Sequence, residues 1–342
     1  MLTDDQIEKI KEHLERAQNP LFFFDNDQDG LCSFLLLQRY ISRGKGIPVK
    51  SFPDLSVDYF RRVRELNADY IFILDRSIVS REFFEEVSQN NIPVVCIDHH
   101  KIEGVYIPDF VDYFNPDSDI NEAVSAFCYQ VTKRDLWISI VGCISDAFIP
   151  DFYEEFKEKY PDLTIDSNDA LDIYYESEIG RLAQILGAGL KDKTTNVVGM
   201  MKFLMKVETP YEVLEENNKT SVFHKRFNEI NKKYQKFLMK AEDVAKNSDK
   251  ILFFDYGGNM SISADLANGL KHKFPDKIIV VGYISGAKIN VSIRGKNVKE
   301  KILRVIGNFD GATGGGHDDA VGARLNSQDW ERFKERFREE IE

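Results

Sequence analysis

Short apolar runs that each end on ionisable side chains restrict the fold of this chain more than anything else in its sequence. Pro93-Val94-Val95-Cys96-Ile97 follows the turn-like Gln89-Asn90-Asn91 and closes on Asp98-His99-His100. So short a run reads as a buried strand that delivers its last residues to the carboxyl end of a sheet, where open α/β folds place their chemistry. Leu21-Phe22-Phe23-Phe24 runs into Asp25-Asn26-Asp27-Gln28-Asp29-Gly30, and Tyr70-Ile71-Phe72-Ile73-Leu74 runs into Asp75. Residues 136–145 run into Asp146 and read as a helix with that carboxylate near its end. Carboxylates and imidazoles gathered from separate elements point to one polynuclear metal site. Asp25, Asp27 and Asp29 are crowded enough that like-charge repulsion is costly unless cations or protons neutralise them. EF-hand spacing fails, because the glycine and the terminal glutamate fall in the wrong places.

The first strand lacks polar alternation, which suits a parallel strand covered on both faces. Before it, Thr3 and Gln6 form a capping-box pair for a helix whose stripe is Ile7, Ile10 and Leu14. After it, a helix over 31–42, a strand at 47–50 and a helix over 57–67 continue a strand-helix rhythm that indicates a parallel sheet. Asn115-Pro116-Asp117-Ser118-Asp119 reads as a polar turn, and the aromatic residues of 151–186 as packing. No G-x-G-x-x-G or Walker sequence occurs, so a dinucleotide fold and a P-loop ATPase are both unsupported.

With 342 residues, the chain is long enough for two domains. Its formal charge of −12 argues against non-specific coating of nucleic acid. Residues 249–342 are close to charge balance, so the acidity lies in the first part, where bound cations would offset it. Cys32, Cys96, Cys128 and Cys143 sit in apolar surroundings without C-x-x-C spacing, which favours buried free thiols in a reducing compartment. Nothing resembles a signal peptide or a membrane span, and a cytoplasmic protein with no membrane partner is expected.

A charged stretch with apolar residues at helical intervals, from Phe227 to Ala241, reads as a long helix connecting two lobes. Beyond it, strands are expected at 251–254, 277–283 and 288–294, the last alternating and half exposed. Gly314-Gly315-Gly316-His317 is permissive backbone that can bring amide groups close to a phosphate, with the imidazole as a further donor. Arg294, at the end of the alternating strand, is a second candidate for phosphate.

Taken in order, Asp25-Asn26-Asp27-Gln28-Asp29-Gly30, the strand-end Asp75, Asp98-His99-His100 and Ser145-Asp146 resemble the four motifs of the DHH phosphoesterases, which include RecJ-type exonucleases, oligoribonucleases and family II inorganic pyrophosphatases. Gly314–His317 and Ser292-Ile293-Arg294 resemble the loop and basic strand of the companion DHHA1 domain. The resemblance implies an α/β fold: a parallel-sheet DHH catalytic domain over 1–205, a helical connector over 206–248 and a smaller α/β DHHA1 substrate-binding domain over 249–342. It implies two Mn2+ or Mg2+ ions. Asp27 and Asp75 would hold one, while Asp29, Asp75, His99 and Asp146 would hold the other, with Asp75 bridging. Asp98 and His100 would be catalytic, His100 orienting phosphate and Asp98 fixing its ring. Arg294, Gly314, Gly315, Gly316 and His317 would bind phosphate, His317 serving catalysis as well. Many members carry His two or four residues before the position of Asp27; here those positions are Asp25 and Phe23, and Asp25 is the candidate to complete the first ion's shell.

Among such enzymes the layout resembles the archaeal RecJ-like nucleases, particularly the Hef-associated group. That implies a 3′-to-5′ exonuclease on single-stranded DNA or RNA, with a repair helicase or replication protein as partner. The alternatives are an oligoribonuclease or cyclic-dinucleotide phosphodiesterase, and a catalytically weak replication or repair scaffold.

Overall fold

A computed structural model of the chain describes residues 1–51, 54–100, 104–116 and 122–341. Asp117, Ser118 and Asp119 of the expected polar turn lie outside the described residues. The chain divides into two compact units, Met1–Phe227 and Asn228–Glu342.

The first unit runs α1 (Asp4–Arg16), β1 (Pro20–Asp25), α2 (Gln28–Ile41), β2 (Lys45–Val49), α3 (Phe60–Glu65), β3 (Tyr70–Leu74), α4 (Arg81–Gln89), β4 (Val94–Ile97), β5 (Val111–Phe114), α5 (Val124–Thr132) and α6 (Leu136–Ser145). Further helices follow: α7 (Tyr153–Lys159), α8 (Ala170–Glu176), α9 (Glu178–Leu190), α10 (Thr194–Leu204) and α11 (Pro210–Leu214). The helix α12 (Ser221–Ala245) then carries the chain across the unit boundary. Thr3 caps α1 in the expected box with Gln6.

All five strands are parallel, in the order β2-β1-β3-β4-β5. Because successive side chains on a strand point to opposite faces, each apolar run is shared between two cores. Phe22, Phe24, Phe72, Leu74, Val95 and Ile97 pack into a core with α1, α2, α5 and α6. Leu21, Phe23, Ile71, Ile73, Val94 and Cys96 pack into another with α3 and α4. This two-sided burial is why the runs show no polar alternation. Each buried Phe contributes about 1.5–3 kcal/mol relative to an exposed one. The four cysteines are free and buried.

The second unit continues with β6 (Ile251–Gly257), α13 (Ser263–Lys273), β7 (Ile278–Ser285), β8 (Lys288–Arg294), α14 (Lys299–Ile306), β9 (Thr313–His317), β10 (Ala320–Asn326) and α15 (Trp330–Ile341). Its mixed sheet has the order β6-β7-β8-β10-β9, with β6 and β7 parallel and the other pairs antiparallel. Ile293, Val321 and Leu325 on one face pack with Ile302 of α14 and with Phe333 and Phe337 of α15. The glycine-rich segment is an edge strand and not a loop, because β10 pairs with it along one side and leaves its outward backbone groups open. Gly316 has φ +135°, and a Cβ there would lie 2.3 Å from the Ala320 carbonyl oxygen, so no other residue fits. Among the described residues no helix is long and apolar enough to cross a membrane.

Candidate metal centre

The strand order reverses direction at β1: the chain passes from β1 to β2 on one side, while β3 lies on the other. Open α/β sheets bind ligands in the crevice outside the carboxyl ends of the strands at such a point. Asp25 is the last residue of β1, Asp27 is the N-cap of α2, and Asp29 lies in the first turn of that helix. Asp75 follows β3, Asp98-His99-His100 follow β4, and Asp146 is the C-cap of α6. Asp75 has φ +57°, a left-handed conformation uncommon for a residue with a side chain; such strain clusters at functional sites.

His99 organises the centre. Its Nδ1 is 3.0 Å from the carbonyl oxygen of Glu122, so Nδ1–H donates there and Nε2 turns inward. Nε2 lies 3.2 Å from Asp75 Oδ1 and 3.5 Å from Asp146 Oδ2. Two carboxylates brought to one imidazole nitrogen repel each other unless a cation or proton lies among them. Asp146 Oδ2 is also buried without a hydrogen-bond partner among the described residues. Buried oxygen and imidazole donors of this kind suit a divalent cation such as Mn2+ or Mg2+.

Asp29 is held by the backbone. Its Oδ2 accepts from Val124 N at 2.7 Å and its Oδ1 from Ser125 N at 3.0 Å. Asp29 thus caps α5, whose own N-cap residue, Ala123, has no side chain to do so. Asp27 Oδ1 accepts from Gly30 N at 2.9 Å. Asp25 Oδ1 accepts instead from Arg76 Nη1 at 2.6 Å. His100 Nδ1 donates to Asp98 Oδ1 at 2.8 Å, and the Tyr113 hydroxyl donates to Asp98 Oδ2 at 2.8 Å. Asn115 Nδ2 donates to the His100 carbonyl at 2.7 Å.

Burial, and then the neighbouring carboxylates, push Asp27 and Asp75 well above the usual carboxylate range. Burial and Asp146 raise Asp29 to about 6, against the opposing pull of His99 and the Ser125 amide. Burial also acts to raise Asp98, but the hydrogen bond and charge of His100, with the hydrogen bond from Tyr113, outweigh it and hold that carboxyl low. Burial acts to lower His100, but Asp98 overrides it and raises the imidazole to about 8. The centre therefore sets a cluster of raised carboxyls beside an imidazolium held by its own carboxylate.

Residues 21–149 match the DHH family, N-terminal domain, and residues 248–342 match the DHHA1 domain. The chain belongs to the DHH/DHHA1 phosphoesterase superfamily. Its fold is similar to that of RecJ from Thermus thermophilus in complex with Mn2+, with 15% identity and a TM-score of 0.68 over 97% of this chain and 53% of that one. This chain thus spans about half the length of that relative. It is similar to an exonuclease RecJ bound to manganese, with 14% identity and a TM-score of 0.63 over 97% of this chain and 92% of that one. A pGpG-specific phosphodiesterase, PggH, from Vibrio cholerae gives 14% identity and a TM-score of 0.50 over 93% of this chain and 97% of that one. At these identities the likeness shows the fold alone. A search of curated proteins gives no match to the sequence.

In the DHHA1 part of this superfamily member, Arg294 of β8 and His317 of β9 both pair in register with Ala320 of β10. Residues paired across strands point to the same face, so both side chains stand on one row of the sheet. Arg294 Nε donates to Asn268 Oδ1 at 2.5 Å and Nη1 to the Ile293 carbonyl at 2.8 Å. Gly315, between Gly314 and Gly316 on the edge strand, opens onto space in which an added Cβ would touch nothing.

Sequence reasoning passed over several parts of the DHH site: Arg76, Tyr113, the amides of Val124 and Ser125, and Gly142. The apolar ends of Val111-Asp112-Tyr113-Phe114 before Asn115-Pro116 are the signal for β5 and hence for Tyr113. The amides carry no sequence signal. Gly142 is required by close packing, since a Cβ there would lie 2.3 Å from Ser125 Oγ and 2.8 Å from Asp29 Oδ1. Ala at Gly142 is expected to lower stability by about 1–3 kcal/mol through overpacking, despite better helix propensity, and to weaken Mn2+ binding by displacing Asp29. Thermal melting and a Mn2+ titration check this; unchanged values in both would remove Gly142 from the site.

Proposed function

We propose that this chain is a divalent-metal-dependent phosphodiesterase that shortens single-stranded nucleic acid from the 3′ end, acting on DNA, with RNA as the alternative substrate. The proposal rests on His99, whose inward Nε2 faces Asp75 and Asp146, carboxylates that no Lys or Arg offsets among the described residues. Asp27, Asp29, Asp75, His99 and Asp146 would hold the cation, which supplies a hydroxide nucleophile at neutral pH and positive charge for the phosphoryl oxygens. Asp98 holds the His100 ring, and the protonated ring would donate Nε2–H to a phosphate oxygen. Arg294, the amides of Gly314, Gly315 and Gly316, and His317 would bind phosphate on the second unit. The names of the two RecJ relatives support a nuclease, and membership of the archaeal RecJ-like, Hef-associated group would add a repair helicase or replication protein as partner.

A second reading takes a dinucleotide or short oligoribonucleotide as substrate, because the likeness to the pGpG-specific phosphodiesterase extends over 97% of that chain. End-labelled single strands of DNA and RNA, 3′- and 5′-labelled at several lengths, separate the two readings with Mn2+ and a His99→Ala control. Stepwise shortening of long strands from the 3′ end, abolished in the control, supports the exonuclease. A rate that collapses with increasing length supports the small substrate, and no cleavage at any length overturns both.

The His100–Asp98 pair predicts a pH dependence. With His100 raised to about 8, the imidazolium is present at neutral pH and lost as pH rises through that value, so KM should rise above about pH 8. Asp98→Asn removes the partner that raises His100, and should move the rise in KM to lower pH. A KM profile that does not shift in the variant would argue against this role.

A further inference from the structure

Among the described residues, no Lys or Arg pairs with Asp27, Asp29, Asp75 or Asp146, whereas Asp25 has a cation of the chain itself against it. Arg76 follows Asp75 directly at the end of β3, next to the end of β1 that carries Asp25. Its Nη1 lies 2.6 Å from Asp25 Oδ1, and its Nη2 donates to the Ser51 carbonyl at 2.5 Å. The Arg76 side chain is 11% exposed and that of Asp25 30%, so the pair is sheltered and the guanidinium is held from two sides. Phe23, the other residue before Asp27 where a donor could stand, is fully buried in the core with α4. A cation bound beside Asp25 would therefore find a carboxylate already paired and a fixed like charge, with no donor from Phe23. The donors of Asp29, Asp75, His99 and Asp146 meet no such obstacle.

We propose that Arg76 replaces one of two metal ions: the centre holds one divalent ion tightly, and the guanidinium of Arg76 provides the second positive charge for the scissile phosphate. The proposal deepens the phosphodiesterase reading and rests on it. A guanidinium suits the task, because its planar N–H donors match phosphate oxygens and it does not lose its proton at any working pH. It neutralises developing charge, but it cannot acidify a water molecule.

The test counts bound Mn2+ per chain by metal analysis and by electron paramagnetic resonance, in the wild type, Arg76→Ala, Arg76→Lys and the double variant Asp25→His with Arg76→Gln. The wild type and Arg76→Lys are expected to bind one ion with a mononuclear signal. Arg76→Ala and the double variant should gain a second ion, tightened by at least about tenfold and seen as an exchange-coupled signal. The double variant keeps the test decisive if Arg76→Ala does not fold. Two ions of similar affinity in the wild type, or a single ion in both variants that lack the Arg, would overturn the role of Arg76 and leave the phosphodiesterase reading standing. A wild type that binds no Mn2+ would overturn both.

Discussion

Asp75→Asn is expected to lower metal-dependent turnover by about a thousandfold or more and at the same time to raise the melting temperature of the metal-free protein. Both effects come from the same buried carboxylate. Asp75 is 3% exposed, sits 3.2 Å from His99 Nε2, and is pushed up by burial and then by Asp27, Asp29, Asp146 and Asp25. Without a cation it is a source of repulsion, and with one it would be a ligand. Asn preserves the shape and tolerates the φ of +57°. Removing the charge should stabilise the metal-free fold by roughly 1–2 kcal/mol, a trade of activity for stability. A change of 1 kcal/mol moves Tm by about 2–4 °C in a domain of this size. Turnover with single-stranded DNA in Mn2+, and melting in a chelator, test the two halves separately. A variant that melts lower and keeps its activity would contradict the placement of Asp75 at the centre of the cluster.

The metal-free protein should lose stability as pH rises, while the stabilisation gained from metal should grow. Asp29 has its carboxyl raised to about 6 in the folded chain, above the unfolded value of about 3.9. Its stabilising contribution is complete below the unfolded value and is lost as pH rises through about 6; Asp27 and Asp75 act in the same direction. His100, raised to about 8, adds stability that is complete below about 6.5 and lost as pH rises through 8. Asp98, held low, acts only in acid below its ordinary range and does not enter this window. The metal-free protein should therefore melt higher at pH 5.5 than at pH 7.5. Divalent metal requires deprotonated ligands, so Mn2+ should raise Tm more at pH 7.5 than at pH 5.5. At a hundredfold excess over Kd, binding stabilises by about 2.7 kcal/mol, which corresponds to several degrees. Calorimetry at the two pH values with Mn2+ or chelator measures all four states. A metal-free protein that melts higher at pH 7.5 would mean that the carboxylates are already neutralised within the fold.

Much of this was legible in the sequence because periodicity and order are local properties. The apolar runs at 21–24, 70–74 and 94–97 are strands buried on both faces, and 136–145 is a helix that ends at Asp146. The motif order pointed to the superfamily. The strands of the second unit at 251–254, 277–283 and 288–294 were equally plain. The glycine-rich segment was harder, because permissive backbone reads as a loop until a neighbouring strand pairs with it, as β10 does here. Strand β5 is short and half exposed, so its pattern is weak.

The sequence by itself determined which residue types stand at the ends of which elements, since strand and helix patterns depend on neighbours along the chain. Only the tertiary structure decided what those residues face. Whether Asp25 meets a cation of the chain depends on β1 and β3 lying side by side, which brings Arg76 across from a residue 51 positions away. Which nitrogen of His99 turns inward depends on the Glu122 carbonyl, and what holds Asp29 depends on two amides at the start of α5. Backbone groups of this kind look alike in every residue, and hydrogen bonds across a fold arise from proximity that no local pattern encodes.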